Sequence, residues 1–257
     1  MTDVLCEVHG LVATVTLNRP ARRNALSGGL LADLRAMMAD LDTRHDVRVI
    51  VLTGADPAFC AGLDLTELGQ ADSPLAMAAS GPVLPRLSKP LIGAVNGAAI
   101  TGGLELALAC DFLIASELAR FADTHARVGI QPGWGLTVEL PEAVGLRRAR
   151  QMSATGNFVD ARTALAWGLV NHVVPHADLL SFTAQIAADA ASNDPAAVQA
   201  IFTTYREVSH VTGAEAGAVE RRAHERWHSG GIDRDQVAPP PGRYRTRQDA
   251  GPLGTRA

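Results

Sequence analysis

The stretch at residues 94–112, AVNGAAITGGLELALACDF, constrains the fold of this chain more than any other part of the sequence. It begins as an apolar run that ends at Val95, breaks at Asn96-Gly97 and at Gly102-Gly103, and resumes as LELALACD. The first run is typical of a buried strand and the last of a buried helix, with glycines where the chain turns between them. The stretch therefore predicts a strand, a glycine-rich turn and a helix.

The start of this predicted helix is a candidate site for chemistry. The first N–H groups of a helix lack intrahelical partners and lie at the positive end of the helix dipole, which suits a developing negative charge. Glu105 comes three residues after Gly102, between Leu104 and Leu106. The spacing alone leaves two interpretations open: Glu105 is a first-turn partner of the dipole, or it is a working carboxylate.

Charge and cysteine content exclude several classes of protein. The 257 residues carry a net charge of −4 without a basic stripe, which argues against a nucleic-acid-binding protein. No apolar run reaches the about 18 residues of a transmembrane helix, and the acidic N-terminus is not typical of a signal peptide. Cys6, Cys60 and Cys110 are far apart and lack metal-binding spacing, so we expect a cytoplasmic protein without a metal site.

Strand and helix patterns alternate over the first two thirds of the chain. Strand-like runs occur at residues 4–8, 11–17, 47–53, 91–95, 112–115, 120–122 and 169–174. Helical patterns begin after Ser27, run from Ser73-Pro74 to Leu87, and cover residues 146–154 and 160–167. This order predicts an α/β fold with right-handed crossovers and a mostly parallel sheet.

The last third of the chain has a different pattern. After residue 176 the pattern is helical only, and we expect this segment to pack on another subunit. From Gln236 the sequence becomes polar, basic and proline-rich, which predicts a mobile tail. The chain is therefore divided into a core at 1–176, a helical oligomerisation segment at 177–235 and a tail at 236–257.

Several short motifs, each weak alone, occur in a fixed order between residues 4 and 225. They are NRP at 18–20 and NAL at 24–26, FCAGLDL at 59–65, KP at 89–90, AVNG at 94–97, GGLEL at 102–106, CD at 110–111, PG at 132–133 and AWGLV at 166–170. The ordered set resembles the crotonase family of enoyl-CoA hydratases and isomerases. The resemblance implies a crotonase-like spiral of ββα units with a helical C-terminal segment, and homotrimers that often pair into hexamers.

The resemblance also implies an acyl-CoA thioester substrate, with no cofactor beyond the coenzyme A of that substrate. It implies that the backbone N–H groups of Leu63 and Gly102 form an oxyanion hole, where two fixed donors stabilise charge on the thioester oxygen. The resemblance further implies that the backbone N–H of Gly133 helps to hold the reacting water. The substrate-binding residues that it implies lie beside the oxyanion donors or on the segment of Gly133: Ala61, Asp64, Leu65, Gly133 and Trp134.

Hydratases of this family use two glutamates, and this chain has only one of them. Glu105 matches the first, and His125 stands where the second is expected. Histidine has an unperturbed pKa of about 6.5 and can accept and return a proton near pH 7, so His125 either replaces the glutamate or only lines the pocket. If neutral His125 accepts a proton, activity should fall as the pH drops through about 6 to 7. Asp123 is the nearest acidic alternative, but we expect it on the opposite face if the segment is extended.

Three further charged residues are weaker candidates. Glu139 is more typical of a helix surface or an ion pair than of a third catalyst. Arg22 and Arg23 could bind the phosphates of coenzyme A, although exposed arginines in a turn are commonly only solvated.

Together these residues favour reversible hydration of a 2-enoyl-CoA, with Glu105 and His125 as the proton-transfer pair. Two alternatives stay open. One is isomerisation, or other enolate chemistry on an acyl-CoA, with Glu105 as the single base. The other is an acyl-CoA-binding protein without catalysis.

Overall fold

The computed structural model describes residues 2–69, 82–209, 211 and 213–229. These residues form ten strands: β1 (Val4–His9), β2 (Val12–Leu17), β3 (Val49–Gly54), β4 (Ala58–Cys60), β5 (Leu91–Val95), β6 (Ala98–Ile100), β7 (Phe112–Ser116), β8 (Arg120–Ala122), β9 (Val159–Asp160) and β10 (His172–Val174). They also form nine α-helices: α1 (Gly28–Thr43), α2 (Leu65–Leu68), α3 (Gly102–Leu108), α4 (Leu136–Val144), α5 (Leu146–Thr155), α6 (Ala161–Trp167), α7 (Leu179–Ala191), α8 (Pro195–Val208) and α9 (Gly213–Ser229).

The larger sheet has six strands in the order β1-β2-β3-β5-β7-β10, and every pair except β1–β2 is parallel. Its strand β3 is buried along its whole length, with Ile50 and Leu52 in one hydrophobic core and Val49 and Val51 in the other. Apolar runs without alternation are expected of parallel strands covered on both faces. The two predicted N-terminal strands pair as an antiparallel hairpin, and the predicted mostly parallel sheet is confirmed.

The smaller sheet has four strands in the order β4-β6-β8-β9. Its strand β6 was not predicted, because three residues between glycines are too short to show a strand pattern. The chain leaves the larger sheet after Val95 and enters the smaller one at Ala98, through the turn at Gly97. A Cβ at Gly97 would lie 2.4 Å from the carbonyl oxygen of Pro57, so only glycine fits this crossing.

Helix α1 begins where the sequence predicts. The Ser27 side chain accepts a hydrogen bond from the N–H of Leu30 at 3.1 Å, which is the usual geometry of an N-cap. The helix buries its apolar face in the core, through Leu30, Leu31, Leu34, Met38 and Leu41. The predicted helices at 146–154 and 160–167 are also confirmed as α5 and α6, within one residue at each end.

The helix predicted to run from Ser73-Pro74 to Leu87 is wrong at its end. Residues 82–87 are not helical, and the earlier part of that prediction lies outside the described residues. Pro82 and Pro85 both lack the N–H that a helix needs. The carbonyls of Pro82 and Val83 instead accept hydrogen bonds from the Arg35 guanidinium at 2.7 and 3.2 Å.

The C-terminal part is helical, as predicted. Helix α7 packs on the larger sheet through Leu179, Ala187 and Ala191, which close the second core. The chain divides into two compact units at Pro195, and α9 lies in the second. The tail predicted from Gln236 lies outside the described residues. No helix in the described part of the chain is long and apolar enough to cross a membrane.

Candidate active site

The first turn of α3 carries the only glutamate of the expected pair. Gly102 and Gly103 begin this helix, and Glu105 lies in its first turn with 3% of its surface exposed. A Cβ at Gly103 would lie 2.1 Å from the carbonyl oxygen of Cys60, so glycine lets α3 start directly against β4. The glutamate is therefore held inside the protein at a helix N-terminus, rather than on the surface.

The two predicted oxyanion donors lie next to each other. A Cβ built on Gly102 would lie 3.6 Å from the backbone nitrogen of Leu63. Leu63 pairs with Leu26 in a parallel bridge that uses the carbonyl of Gly62 and the N–H of Asp64, so the Leu63 N–H is directed away from Leu26. Gly102 is the first residue of its helix, so its N–H lacks an intrahelical partner.

The two oxygens of Glu105 have different partners. Oε1 accepts a hydrogen bond from the backbone N–H of Trp134 at 2.8 Å, and Oε2 lies 3.4 Å from Nε2 of His125. The N–H that reaches the carboxylate thus belongs to Trp134, whereas the preceding Gly133 is exposed. The structure therefore brings Glu105 and His125 together, with 3% and 4% of their surfaces exposed.

Asp123 lies on the same side as His125, and the expectation that it lies on the opposite face is wrong, because side chains two residues apart share a face even on an extended segment. The chain stops being extended after Ala122 and turns into a short 310 helix, His125–Val128. Across this turn Asp123 Oδ1 contacts His125 Nδ1 at 2.6 Å and accepts the backbone N–H of His125 at 3.1 Å. The imidazole thus lies between two carboxylates, Asp123 and Glu105.

This arrangement changes the charge of the imidazole. Burial by itself lowers the pKa of His125, but hydrogen bonds and charges from Asp123 and Glu105 outweigh it and raise that pKa to about 9. For Asp123, burial acts to raise the pKa, but bonds from His125 and Ser153 lower it overall. At neutral pH the histidine is therefore an imidazolium, so an activity loss between pH 6 and 7 is no longer expected from it.

The predicted substrate-binding residues differ in their exposure and contacts. Asp64 caps α2 and pairs with Arg19 at 3.2 Å, while Leu65 is 56% exposed and Ala61 is half-buried. The Trp134 ring is half-buried against α3: its Cζ3 atom would lie 3.2 Å from a Cβ on Gly102. Trp134 thus donates its backbone N–H to Glu105 and places its ring beside Gly102.

The weaker candidates lie on the surface. Arg22 and Arg23 are exposed at the end of the first 310 helix, Pro20–Arg22, and Glu139 is exposed on α4. The described residues contain no group of three or more His, Cys, Asp or Glu side chains that could hold a metal ion.

Sequence reasoning missed two residues of this site. The first is Asp123 as the partner of His125; an aspartate two residues before a histidine, in a turn, was the available signal. The second is Thr101, whose hydroxyl bonds to that of Thr124 at the start of the histidine segment. Only the pairing of β6 with β8 brings these two threonines together.

Comparison with known proteins identifies the family of this chain. Residues 7–232 match the family model described as enoyl-CoA hydratase/isomerase. A short-chain-enoyl-CoA hydratase from Clostridium acetobutylicum is 37% identical over 207 residues, which are 77% of this chain and 79% of that protein. An (E)-benzylidenesuccinyl-CoA hydratase from Thauera aromatica is 40% identical over 203 residues, 77% of this chain and 79% of the relative.

Solved structures show the same fold. An enoyl-CoA hydratase from Mycobacterium avium is 49% identical, with a TM-score of 0.76, covering 89% of this chain and 99% of that one. One from Bacillus anthracis is 34% identical, with a TM-score of 0.83 and coverages of 87% and 90%. Two mixed sheets followed by C-terminal helices therefore define an α/β fold of the crotonase type. The chain belongs to the enoyl-CoA hydratase/isomerase family, whose substrates are acyl-CoA thioesters.

Proposed function

We propose that this protein is an enoyl-CoA hydratase, which adds water reversibly across the double bond of a 2-enoyl-CoA thioester. The observation that supports this proposal is the setting of Glu105: one oxygen is held by the Trp134 N–H, and the other faces His125. Glu105 lies in the first turn of the helix that begins at Gly102, whose N–H is one of the two proposed oxyanion donors with that of Leu63. Hydration needs these parts, namely a base for water, a proton donor for C2 and donors for the thioester oxygen.

The proposed reaction starts with Glu105 as the base. Its carboxylate takes a proton from water while the water oxygen bonds to C3. The electrons of the C2–C3 double bond move toward the thioester, and the N–H groups of Leu63 and Gly102 stabilise the charge on its oxygen. His125, which is an imidazolium at neutral pH because its pKa is about 9, gives its Nε2 proton to C2.

Proton transfer between the two side chains restores their starting protonation states. After one turnover Glu105 carries a proton and His125 has lost one, and their atoms Oε2 and Nε2 are 3.4 Å apart. Transfer of this proton from Glu105 to His125 resets both groups. One water and one 2-enoyl-CoA are consumed, and one 3-hydroxyacyl-CoA is formed.

The acyl group is proposed only as a class. The named relatives hydrate acyl groups as different as short-chain and (E)-benzylidenesuccinyl thioesters. The ring of Trp134 lies beside Gly102 and adds bulk next to the proposed thioester position.

The test is incubation of the purified protein with crotonyl-CoA and with a longer 2-enoyl-CoA. We expect loss of the conjugated thioester absorbance and a product heavier by one water, both absent in Glu105→Gln. A protein that converts 3-enoyl-CoA into 2-enoyl-CoA without hydration would instead be an isomerase with Glu105 as its single base. Binding of acyl-CoA without any turnover would identify a binding protein.

A further inference from the structure

Asp123 is one of the most deeply buried charged groups of the described residues, with 1% of its surface exposed. A single oxygen, Oδ1, serves both the ring nitrogen Nδ1 of His125 at 2.6 Å and the backbone N–H of the same residue at 3.1 Å. The carboxylate also has a hydrogen bond with Ser153 of α5. The side chain is therefore tied to its neighbour on both the backbone and the ring.

The bond at Nδ1 determines which ring nitrogen faces Glu105. A carboxylate only accepts hydrogen bonds, so the Nδ1 that it contacts carries a proton. Nε2 is then the nitrogen directed at Oε2 of Glu105. We propose that Asp123 is a positioning residue that keeps His125 cationic, with its Nε2–H directed at Glu105 and at the reacting carbon. This inference rests on the proposed hydration reaction, to which it adds a third residue.

The charge balance gives Asp123 a role in every stage of the cycle. The charged groups that act on the imidazole are Asp123 and Glu105, while α5 meets this cluster with the uncharged Ser153. Before reaction one cation lies between two carboxylates. After Nε2 has given its proton to C2, the proton on Nδ1 stays on the ring, hydrogen-bonded to Asp123. The lone pair at Nε2 is then ready to accept the proton from Glu105.

A purely structural role for Asp123 makes a different prediction. Its bond to the backbone N–H of His125 resembles the local aspartate turn that commonly precedes a helical turn. Asparagine can make that bond, and it can also accept from Nδ1–H through its own oxygen. Asp123→Asn therefore preserves the geometry and removes only the charge, which separates the two roles.

The experiment follows His125 by NMR of the imidazole across pH, in wild type, Asp123→Asn and the control Asp33→Asn. Asp33 is exposed on α1, so its substitution makes the same chemical change outside the site. We expect Asp123→Asn to lower the pKa of His125 by about 1 or more, since a partner charge at this range contributes about 1 to 3. Hydration at pH 8 should fall with the imidazolium fraction, by about twofold if the pKa drops from about 9 by about 1 and by about tenfold if it drops by about 2, and Asp33→Asn should change neither quantity. An unaltered pKa in a folded Asp123→Asn would overturn the proposal.

The two readouts separate this inference from the proposed function. If wild type does not hydrate any enoyl-CoA but Asp123→Asn still lowers the pKa of His125, the proposed function fails and the positioning of the imidazole stands. If wild type hydrates and Asp123→Asn changes neither the pKa nor the rate, hydration stands and Asp123 is structural. Should Asp123→Asn not fold, Ser153→Ala, which loosens Asp123, is expected to lower the pKa of His125 by a smaller amount, and no change there would equally overturn the proposal.

Discussion

The side-chain hydroxyls of Thr101 and Thr124 are hydrogen-bonded to each other, and Thr101 Oγ1 also accepts the backbone N–H of Thr124 at 3.2 Å. These contacts tie the turn before Glu105 to the turn before His125. Thr101 makes them with a φ of +55°, which is costly for a β-branched residue. The relative position of the two candidate catalytic groups is therefore maintained against local backbone strain.

Substitution of Thr101 separates the stabilisation by its hydroxyl from the cost of its backbone strain. Thr101→Val removes the hydroxyl and keeps the strain, so we expect the free energy of unfolding to drop by about 1 to 3 kcal/mol and hydration to slow. Thr101→Gly also loses the hydroxyl but accepts a positive φ, so it should lose less stability than the valine variant. Urea unfolding measures both. A glycine variant less stable than the valine variant would mean that backbone strain at Thr101 is negligible.

Glu105→Gln keeps the shape and the hydrogen bond to Trp134 but cannot take a proton from water. We expect kcat to drop by at least about 100-fold, the lower end for general acid–base catalysis, while acyl-CoA binding is retained. Steady-state kinetics and calorimetric binding of a saturated acyl-CoA measure the two effects. The matched control is Glu117→Gln, at an exposed turn, which should be unaffected. A near-normal rate in Glu105→Gln would remove this residue from the mechanism.

The pH dependence follows from the raised pKa of His125. Below about 9 the imidazolium is present and can donate its Nε2 proton; above that pH the donor is lost, so kcat/KM for hydration should decline as the pH rises through about 9. His125→Gln should lose most of the activity, and the remaining activity should not decline near pH 9. His125→Glu restores two carboxylates and should hydrate short enoyl-CoA substrates without a decline of the rate near pH 9. A wild-type rate that instead declines toward acid between pH 6 and 7 would contradict the imidazolium.

Gly103 and Gly29 form a matched pair for a stability test. A Cβ on Gly103 would lie 2.1 Å from the backbone oxygen of Cys60, so Gly103→Ala must displace α3 from β4. We expect a loss of roughly 2 kcal/mol or more in the free energy of unfolding. Gly29 lies in α1 with nothing within 4 Å of a built Cβ, so Gly29→Ala should stabilise by about 0.5 to 1 kcal/mol. Thermal melts of both variants, read beside wild type, measure the difference; equal melting temperatures would refute the close contact.

Assembly is the last prediction. We propose that the segment at 177–235 packs between subunits of a homotrimer or a dimer of trimers. On α8, Ile201 and Tyr205 are one helical turn apart and are 52% and 70% exposed, which is typical of an unpartnered apolar stripe. Light scattering at micromolar concentration should give a trimeric or hexameric mass, and Ile201→Asp with Tyr205→Asp should reduce it. A monomeric wild type would contradict this proposal. Removal of residues 236–257 should leave the number of subunits in the oligomer unchanged.

Much of the fold could be predicted because it depends on local patterns. The buried strand β5 and the helix α3 follow from apolar runs and from the glycines between them, and the Ser27 cap marks the start of α1. Strand β6 could not be found in this way, because its three residues are a strand only through pairing with β4 and β8. Pro82 and Pro85 exclude a helix that reaches Leu87, because neither proline has the N–H that a helix needs.

The sequence by itself determined the family, the acidic residue at position 105 and the absence of a second glutamate at position 125, since these depend on residue identity and spacing. Only the tertiary structure decided the charge of His125. Its charge depends on burial and on two carboxylates from different segments, Asp123 and Glu105. A pKa is set by the distances between groups in space, and here a turn after Ala122 and a helix start at Gly102 bring those groups together.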